Sequence, residues 1–250
     1  MNNQLLEQVL EIAAAAGRAA MEHYGSDAPV EYKEDNSPLT LADKAAHFVI
    51  VNSLQVLDPW LPVLSEESDK DEIADRKSWH DFWVVDPLDG SKEFIKQSGQ
   101  FTVNIARVQG DEPVLGVVHA PATGEYYYAA RGDGAFAIRA DGSVDEIIVS
   151  PADPPGLRIV ASKDHAGPQV EALLERLDGA ECVSMGSSLK FCLVAEGKAD
   201  FYPRLVPTME WDTAAAQCIL ETAGGYLVDL SGRRLLYNKD DLRNPSVLAY

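Results

Sequence analysis

The stretch Phe82-Trp83-Val84-Val85-Asp86-Pro87-Leu88-Asp89-Gly90 constrains the chain more than any other. It opens as an apolar, β-branched run, the pattern of a buried strand. Pro87 has no N–H and biases Asp86 away from helix. Asp89-Gly90 is turn chemistry, because glycine tolerates positive φ. The sequence thus predicts a buried strand breaking into a turn that carries two carboxylates three residues apart. An ordinary solvated Asp-Gly turn has the same local spelling. The context argues otherwise: the strand ahead is apolar, and Ser91, Lys92 and Glu93 follow at once. Two acids at the end of a buried strand repel unless a cation joins them. Hard cations such as Mg²⁺ take oxygen ligands and keep waters to share with phosphate oxygens. The stretch is a candidate metal and phosphate site.

Charge narrows the partners. The 250 residues hold 40 acids against 21 Lys and Arg, a formal charge of -19. That argues against a nucleic-acid-binding surface, which needs basic patches. It also means that a phosphate substrate requires a local inversion of field, which bound divalent cations supply. Cys182, Cys192 and Cys218 are odd in number, lack zinc-ligand spacing and lie among apolar residues. They read as buried reduced thiols of a cytosolic protein. No 18-residue apolar run spans a membrane, and the acidic N-terminus is not a secretory signal.

Along the chain, apolar residues recur at three- and four-residue steps over residues 3–24, predicting a helix closed by Gly25. A short strand is expected at 30–33, a loop at Asp35-Asn36-Ser37-Pro38 and a helix at 41–57. Thr40 and Asp43 are spaced as a capping box for that helix. Residues 61–64 lead into Ser65-Glu66-Glu67-Ser68, whose adjacent acids are also the pattern of a solvated face, and 69–78 is a charged surface excursion. Strands at 101–108, 114–118, 125–129, 135–139 and 146–149, separated by Gly-containing turns, predict an antiparallel meander. The Pro-rich stretch 150–156 marks a boundary between an N-terminal α+β portion, 1–150, and a C-terminal portion, 151–250. Beyond it strands at 157–162, 182–185, 199–202, 225–230 and 246–249 alternate with helices at 168–177, 188–195 and 212–223, the signature of an α/β layer.

Trp83-Val84-Val85-Asp86-Pro87-Leu88-Asp89-Gly90-Ser91 resembles the signature of the lithium-sensitive, Mg²⁺-dependent inositol monophosphatase superfamily. Leu64-Ser65-Glu66-Glu67-Ser68 upstream and Glu210-Trp211-Asp212-Thr213-Ala214-Ala215 downstream match two further pieces of that pattern, in order. The resemblance implies a layered αβαβα sandwich of the inositol monophosphatase/fructose-1,6-bisphosphatase type. It implies that Glu66, Asp86 and the Leu88 carbonyl hold one Mg²⁺, that Asp86, Asp89 and Asp212 hold a second, and that a third, weaker ion shares Glu66. Asp43 and Ser91, with Glu66, are implied to orient and deprotonate the attacking water. For Asp43 the competing role is the helix cap, and for Asp212 an N-terminal helix cap. The N–H groups of Gly90 and Ser91 are placed to meet the substrate phosphate, aided by a helix start near Ser91.

Residues after Gly90 narrow the resemblance. Ser91-Lys92-Glu93-Phe94 is similar to the bacterial CysQ-type 3'(2'),5'-bisphosphate nucleotidases, as are Asp35-Asn36-Ser37-Pro38-Leu39-Thr40, Phe101-Thr102-Val103-Asn104-Ile105-Ala106 and the stretch from Gly186 to Gly197. Ser91 stands where that group often has Thr, so the hydroxyl is retained. The implied reaction is hydrolysis of adenosine 3',5'-bisphosphate (PAP) to AMP and phosphate, with PAPS as a further substrate, in sulfate assimilation. A bisphosphate needs donors for its second phosphate; Ser187, Ser188, Lys190 and Arg204 are the candidates, with Ser162-Lys163-Asp164-His165 on the nucleotide side. A lysine at a helix start is equally a solvated surface residue. Substrate contacts are thus expected from Glu66, Leu88, Asp89, Gly90, Ser91 and Asp212 together with that second set. The rivals are an inositol or sugar monophosphatase on the same fold and an acidic metal-binding protein without catalysis. The protein is expected in the cytoplasm, with peripheral attachment to the inner membrane's cytoplasmic face left open, as is the choice between monomer and homodimer.

Overall fold

The computed structural model describes residues 3–26, 31–32, 38–151, 156–161, 170, 172, 175–176 and 180–250. Its centre is a seven-stranded sheet in the order β3-β4-β5-β6-β7-β8-β9. These strands are β3 (Val63–Ser65), β4 (Asp81–Asp89), β5 (Thr102–Gln109), β6 (Glu112–Ala120), β7 (Glu125–Ala130), β8 (Gly134–Ile138) and β9 (Val144–Glu146). From β4 onward each strand pairs antiparallel with the next, the meander that the turn spacing predicts. β3 joins the opposite edge parallel to β4. A two-residue pair, β1 (Glu31–Tyr32) and β2 (Pro38–Leu39), stands apart.

Strand periodicity decides which helices meet which face, because successive side chains point to opposite sides. Trp83, Val85, Val103, Ile105, Leu115 and Val117 pack with α1 (Asn3–Met21) and α2 (Leu41–Leu57) in one core cluster. The alternate residues Phe82, Val84, Ala106, Val108, Val118 and Ala120 pack with α4 (Leu189–Ala195) and α5 (Glu210–Thr222) in another. A five-residue helix, α3 (Ser91–Ile95), leads out of β4. β6 and α5 approach closely: a Cβ on Gly116 would collide with the backbone carbonyl of Ala215. Gly116 and the small run Ala214-Ala215-Ala216 therefore fix how deep α5 sits on the sheet.

Beyond α4 and α5 lie β10 (Arg158–Ala161) parallel to β11 (Glu181–Ser184), and a three-stranded sheet ordered β12-β14-β13, made of Tyr202–Arg204, Val247–Ala249 and Leu227–Asp229. A bridge between Ile159 and Phe201 joins the two pieces. The layers run α, β, α, β. The helix expected at 168–177 falls largely outside the described residues, as do Asp35, Asn36, Ser37 and the stretch 162–165. No helix among the described residues is long and apolar enough to cross a membrane.

Three sequence expectations need correction. The strand expected at 199–202 runs over Tyr202–Arg204 instead: Phe201 makes only a bridge to Ile159, and Pro203 has no N–H to carry that pairing further. The strand expected at 146–149 begins and ends earlier, at Val144 and Glu146. Cys182 is exposed, whereas Cys192 and Cys218 are buried as expected. Cys182 sits on β11, whose side chains are covered less than those of the central strands.

Candidate active site

The site begins with an irregularity in β4. Residues three apart on a regular strand face opposite sides of the sheet, so Asp86 and Asp89 would diverge. They do not, because the register against β5 slips between them: Asp86 pairs with Asn104 and Asp89 with Thr102, three steps against two. Such a bulge adds one residue and reverses the facing of every later residue in the strand. Leu88 accordingly joins the α1–α2 core alongside Trp83 and Val85. Asp86 and Asp89 both end on the α4–α5 side. Pro87 cannot donate to the ladder, and the Leu88 N–H is taken by Asp86 Oδ1 at 3.0 Å. The expected turn at Asp-Pro-Leu-Asp is thus a bulge inside the strand, and the chain turns one residue later. Gly90 makes that turn at φ +96 and precedes α3.

Asp212 comes to the same place from α5. It is not the N-cap but the third helical residue, and its Oδ2 accepts the Met209 N–H at 2.8 Å. One carboxylate oxygen from each of Asp86, Asp89 and Asp212 lies within 4.8 Å of the others. Asp86 is buried, 1 % exposed, and the other two are half-buried. Ser188, at the start of α4, ties the set together. Its N–H donates to Asp89 Oδ2 at 2.5 Å, and its hydroxyl lies 2.7 Å from that oxygen and 2.9 Å from the Asp212 carbonyl. Asn104 donates to the same hydroxyl at 2.9 Å, and the Thr102 hydroxyl reaches Asp89 Oδ2 at 3.5 Å.

Burial is the main cause that raises the Asp86 pKa well above the usual carboxylate range, followed by the charges of Glu66, Asp89 and Asp212. Burial, then Asp89, pushes Asp212 up to about 8. Among the described residues no Lys or Arg forms an ion pair with any of the three. An all-oxygen, acid-rich cluster whose carboxylates form no ion pair fits a hard divalent cation. Glu66 stands outside the triad, yet its charge acts on both Asp86 and Asp212. Its backbone N–H donates to the Val85 carbonyl at 3.1 Å, which holds it beside β4.

Asp43 makes the helix cap and also contacts Ser91, its proposed catalytic partner. Its Oδ2 accepts the Thr40 N–H at 2.7 Å and the Thr40 hydroxyl at 2.6 Å, and Thr40 Oγ1 accepts the Ala42 N–H, which is the capping box. Its other oxygen, Oδ1, accepts the Ser91 hydroxyl at 3.2 Å. The Ser91 Oγ also lies 3.4 Å from the Leu88 carbonyl. One carboxylate, 2 % exposed, both caps α2 and faces Ser91.

Beside the triad a cleft of about 230 Å³ is lined by Asp89, Ser187, Lys190, Tyr202, Arg204 and Asp212 among others. Lys190 is not a solvated surface residue. It is 7 % exposed, and burial lowers its pKa to about 8. Its ammonium donates to the Ser187 carbonyl at 2.6 Å and stands 5.6 Å from the Tyr202 ring centroid. Arg204 Nε is buried without a hydrogen-bond partner. Ser187 holds a left-handed backbone, φ +45, and a Cβ on Gly186 would press 2.7 Å from the Gln100 carbonyl. The 186–188 turn is therefore forced tightly over the start of β5.

Thr102 and Asn104 escape a residue-by-residue reading of the sequence as site residues. Polar residues at alternate positions of an otherwise apolar strand are the signal that they face the site. His47, one turn beyond Asp43 on α2, places Nδ1 2.9 Å from the Ser65 hydroxyl just before Glu66. Nothing in the sequence pattern singles it out.

The fold and site define a class: a layered αβ protein whose central sheet and facing helix bring three carboxylates together as a candidate metal site beside a basic cleft. Residues 1–249 match the inositol monophosphatase family. The chain is 46% identical over 244 residues to the 3'(2'),5'-bisphosphate nucleotidase CysQ of Salmonella typhimurium, covering 96% of this chain and 97% of the relative. The crystal structure of CysQ from Bacteroides thetaiotaomicron superposes with a TM-score of 0.85 at 39% identity, covering 99% and 97% of the two chains. An IMPase from Thermotoga maritima superposes at 0.79 and 27%, covering 98% and 91%. The chain belongs to the inositol monophosphatase family.

Proposed function

We propose that this chain is a 3'(2'),5'-bisphosphate nucleotidase that hydrolyses the 3'-phosphate of PAP, giving AMP and inorganic phosphate, with PAPS as a second substrate and sulfate assimilation as its setting. The observation that carries the reading is the cleft beside the carboxylates. Lys190, buried, and Arg204, half-buried, line it, and neither forms an ion pair among the described residues, although the charges of Asp89, Glu93 and Asp212 act on Lys190 and that of Arg204 acts on Asp212. In this reading bound cations take up those carboxylates. A second phosphate next to the one being cleaved would then supply the counter-charge for both, and a monophosphate would not. The relatives named as bisphosphate nucleotidases agree with this choice.

In this reading Glu66, Asp86, the Leu88 carbonyl, Asp89 and Asp212 hold two Mg²⁺ ions, with a third sharing Glu66. When bound, the ions neutralise the phosphoryl oxygens, lower the pKa of the attacking water and assist the leaving oxygen. The chain does the rest. Ser91 Oγ passes its proton toward Asp43 Oδ1 and accepts one from the attacking water. The Gly90 and Ser91 N–H groups receive the phosphate, and the absent side chain of Gly90 lets it approach. Ser188 and Asn104 keep Asp89 and the start of α5 in place. Segment 1–150 supplies most of these groups, and 151–250 completes them with Asp212 and the basic cleft. Fold alone does not separate this activity from that of an inositol monophosphatase. Phosphate release from PAP, PAPS, inositol 1-phosphate and fructose 1,6-bisphosphate, with and without Mg²⁺, tests the reading. PAP is expected to be far the best, with no turnover in excess chelator. A higher kcat/KM for inositol 1-phosphate would overturn the substrate assignment.

A further inference from the structure

The arm that carries Glu66 and the helix that carries Asp212 are far apart in sequence, so a site between them needs something to set their separation. A chain of part-buried hydrogen bonds that converge on one buried side chain does this. After Glu66 the polypeptide reaches Arg76, whose Nη1 donates to Asn238 Oδ1 at 2.9 Å and to the Lys239 carbonyl at 2.6 Å. Its Nη2 donates to the Asp240 carbonyl at 2.7 Å. Asn238 answers by donating Nδ2 to the Arg76 carbonyl at 2.8 Å. Asn238 itself holds a left-handed backbone, φ +56, which turns its N–H and that of Lys239 inward.

Both N–H groups end on one side chain. Glu210 is 0 % exposed; its Oε2 accepts Asn238 N–H at 2.7 Å and its Oε1 accepts Lys239 N–H at 2.9 Å and Lys239 Nζ at 2.7 Å. Glu210 is the first residue of α5, two before Asp212. Lys239 Nζ continues to Asn244 Oδ1 at 3.0 Å, and Asn244 Nδ2 donates to the Met209 carbonyl at 2.7 Å. Met209 is the residue whose N–H fixes the Asp212 carboxylate.

We propose that Glu210 is a positioning residue that, through Asn238 and Arg76, locks the Glu66 arm to the Asp212 helix and so sets the cation affinity of the site. The proposal rests on the reading that the carboxylates hold divalent cations. Glu210 touches neither the triad nor the cleft. It acts by holding the first turn of α5, from which Asp212 projects. Replacing it with Gln keeps the shape but leaves one acceptor oxygen where three donors converge, and it removes the counter-ion of Lys239.

The test is calorimetric titration of Mg²⁺ alone into chelator-treated protein, comparing wild type, Glu210→Gln, Arg76→Ala and Glu221→Gln. Glu221 pairs with Arg234 at the other end of α5 and controls for loss of stability in the same helix. Glu210→Gln is expected to bind Mg²⁺ roughly 10–100-fold more weakly, as for other groups that orient ligands from behind. Arg76→Ala, which removes a half-buried side chain from a segment of mostly exposed residues, shifts in the same direction. Glu221→Gln binds Mg²⁺ as wild type does, whatever its melting temperature. In turnover the half-saturating Mg²⁺ rises for the first two variants while KM for PAP at saturating Mg²⁺ stays put. Wild-type Mg²⁺ affinity in both Glu210→Gln and Arg76→Ala overturns the proposal, and Arg76→Ala alone decides it if Glu210→Gln does not fold. Failure of the wild-type protein to bind Mg²⁺ overturns the cation-site reading, and this inference with it.

Discussion

Replacing Asp43 with Asn separates the helix cap from the proton-acceptor role proposed for the same carboxylate. The cap side uses Oδ2, which accepts the Thr40 N–H at 2.7 Å and the Thr40 hydroxyl at 2.6 Å. An Asn amide oxygen placed there keeps both bonds, so the capping box survives in shape. What is lost is the negative charge in the first turn of α2, worth about 0.3–1 kcal/mol against the helix dipole. Weaker acceptance by a neutral oxygen adds to this, for a total of about 0.5–2 kcal/mol. For a chain of this length about 1 kcal/mol corresponds to roughly 2–4 °C in Tm. The side proposed to accept the proton fares differently. With the oxygen at the Oδ2 position, the amide NH₂ falls at the Oδ1 position, 3.2 Å from Ser91 Oγ. It donates to Ser91 where the carboxylate accepted, so the proton has nowhere to go. Loss of such help lowers kcat by roughly 10²–10⁴-fold, or about 2.7–5.5 kcal/mol at about 1.36 kcal/mol per decade.

The two effects are read separately. Differential scanning fluorimetry gives the first, and steady-state phosphate release from PAP at saturating Mg²⁺ gives the second. Ser91→Ala should reproduce the fall in kcat with little change in Tm, since Ser91 lies outside the capping box. Ser91→Thr should stay active. The double variant Asp43→Asn with Ser91→Ala should be no slower than the worse single one, because both break one link. An Asp43→Asn protein that melts early yet turns over PAP within tenfold of wild type would refute the proton-acceptor role and leave Asp43 as a cap.

Burial and mutual repulsion raise Asp86 and Asp212 above unfolded carboxylates. Their stabilising contribution is therefore full below the unfolded pKa, near 4, and is lost as pH rises through the folded values, about 8 for Asp212. A cation that relieves the repulsion should then raise Tm more at pH 8 than at pH 5.5; an Mg²⁺-induced Tm shift that is equal at both, or larger at pH 5.5, would contradict this. Gly116→Ala should cost about 1–3 kcal/mol from overpacking against the Ala215 carbonyl, seen in chemical denaturation, and should weaken Mg²⁺ binding because α5 carries Asp212. Lys190→Gln should lower kcat/KM for PAP by roughly 10–100-fold, the worth of a charged hydrogen bond, while leaving inositol 1-phosphate hydrolysis little changed.

Much of this architecture was legible in the sequence because its signals are local. The alternation of Phe82, Trp83, Val84 and Val85 fills two cores on opposite faces, and Gly-containing turns space the meander. The spacing of Thr40 and Asp43 gives the capping box that forms. The bulge between Asp86 and Asp89 was not legible. It depends on how β4 meets β5, and pairing register is a property of two strands rather than of one. For the same reason Cys182 looked buried from its neighbours in sequence, although its strand leaves it exposed. The clamp at Glu210 was hidden by distance, since its partners Asn238 and Lys239 are 28 and 29 residues away and Arg76 reaches Asn238 across 162.

Asp43 and Asp212 show why a carboxylate proposed for function can pass as a structural one. Each is the third residue of its helix, and each spends Oδ2 on the backbone N–H three residues before it. A carboxylate tied by one oxygen loses most of its rotamer freedom, so the other oxygen is held in a fixed direction without further support. The cap is then the device that aims the acid. A sequence that spells a helix cap and one that spells a rigidly aimed carboxylate are the same sequence. What distinguishes them is the company: Ser91 at the free oxygen of Asp43, and Asp86 with Asp89 beside the Asp212 carboxylate. That company is assembled by the bulge in β4, which turns Asp89 to the side of Asp86, and by Gly116, which lets α5 settle onto β6 at the depth where Asp212 meets them both.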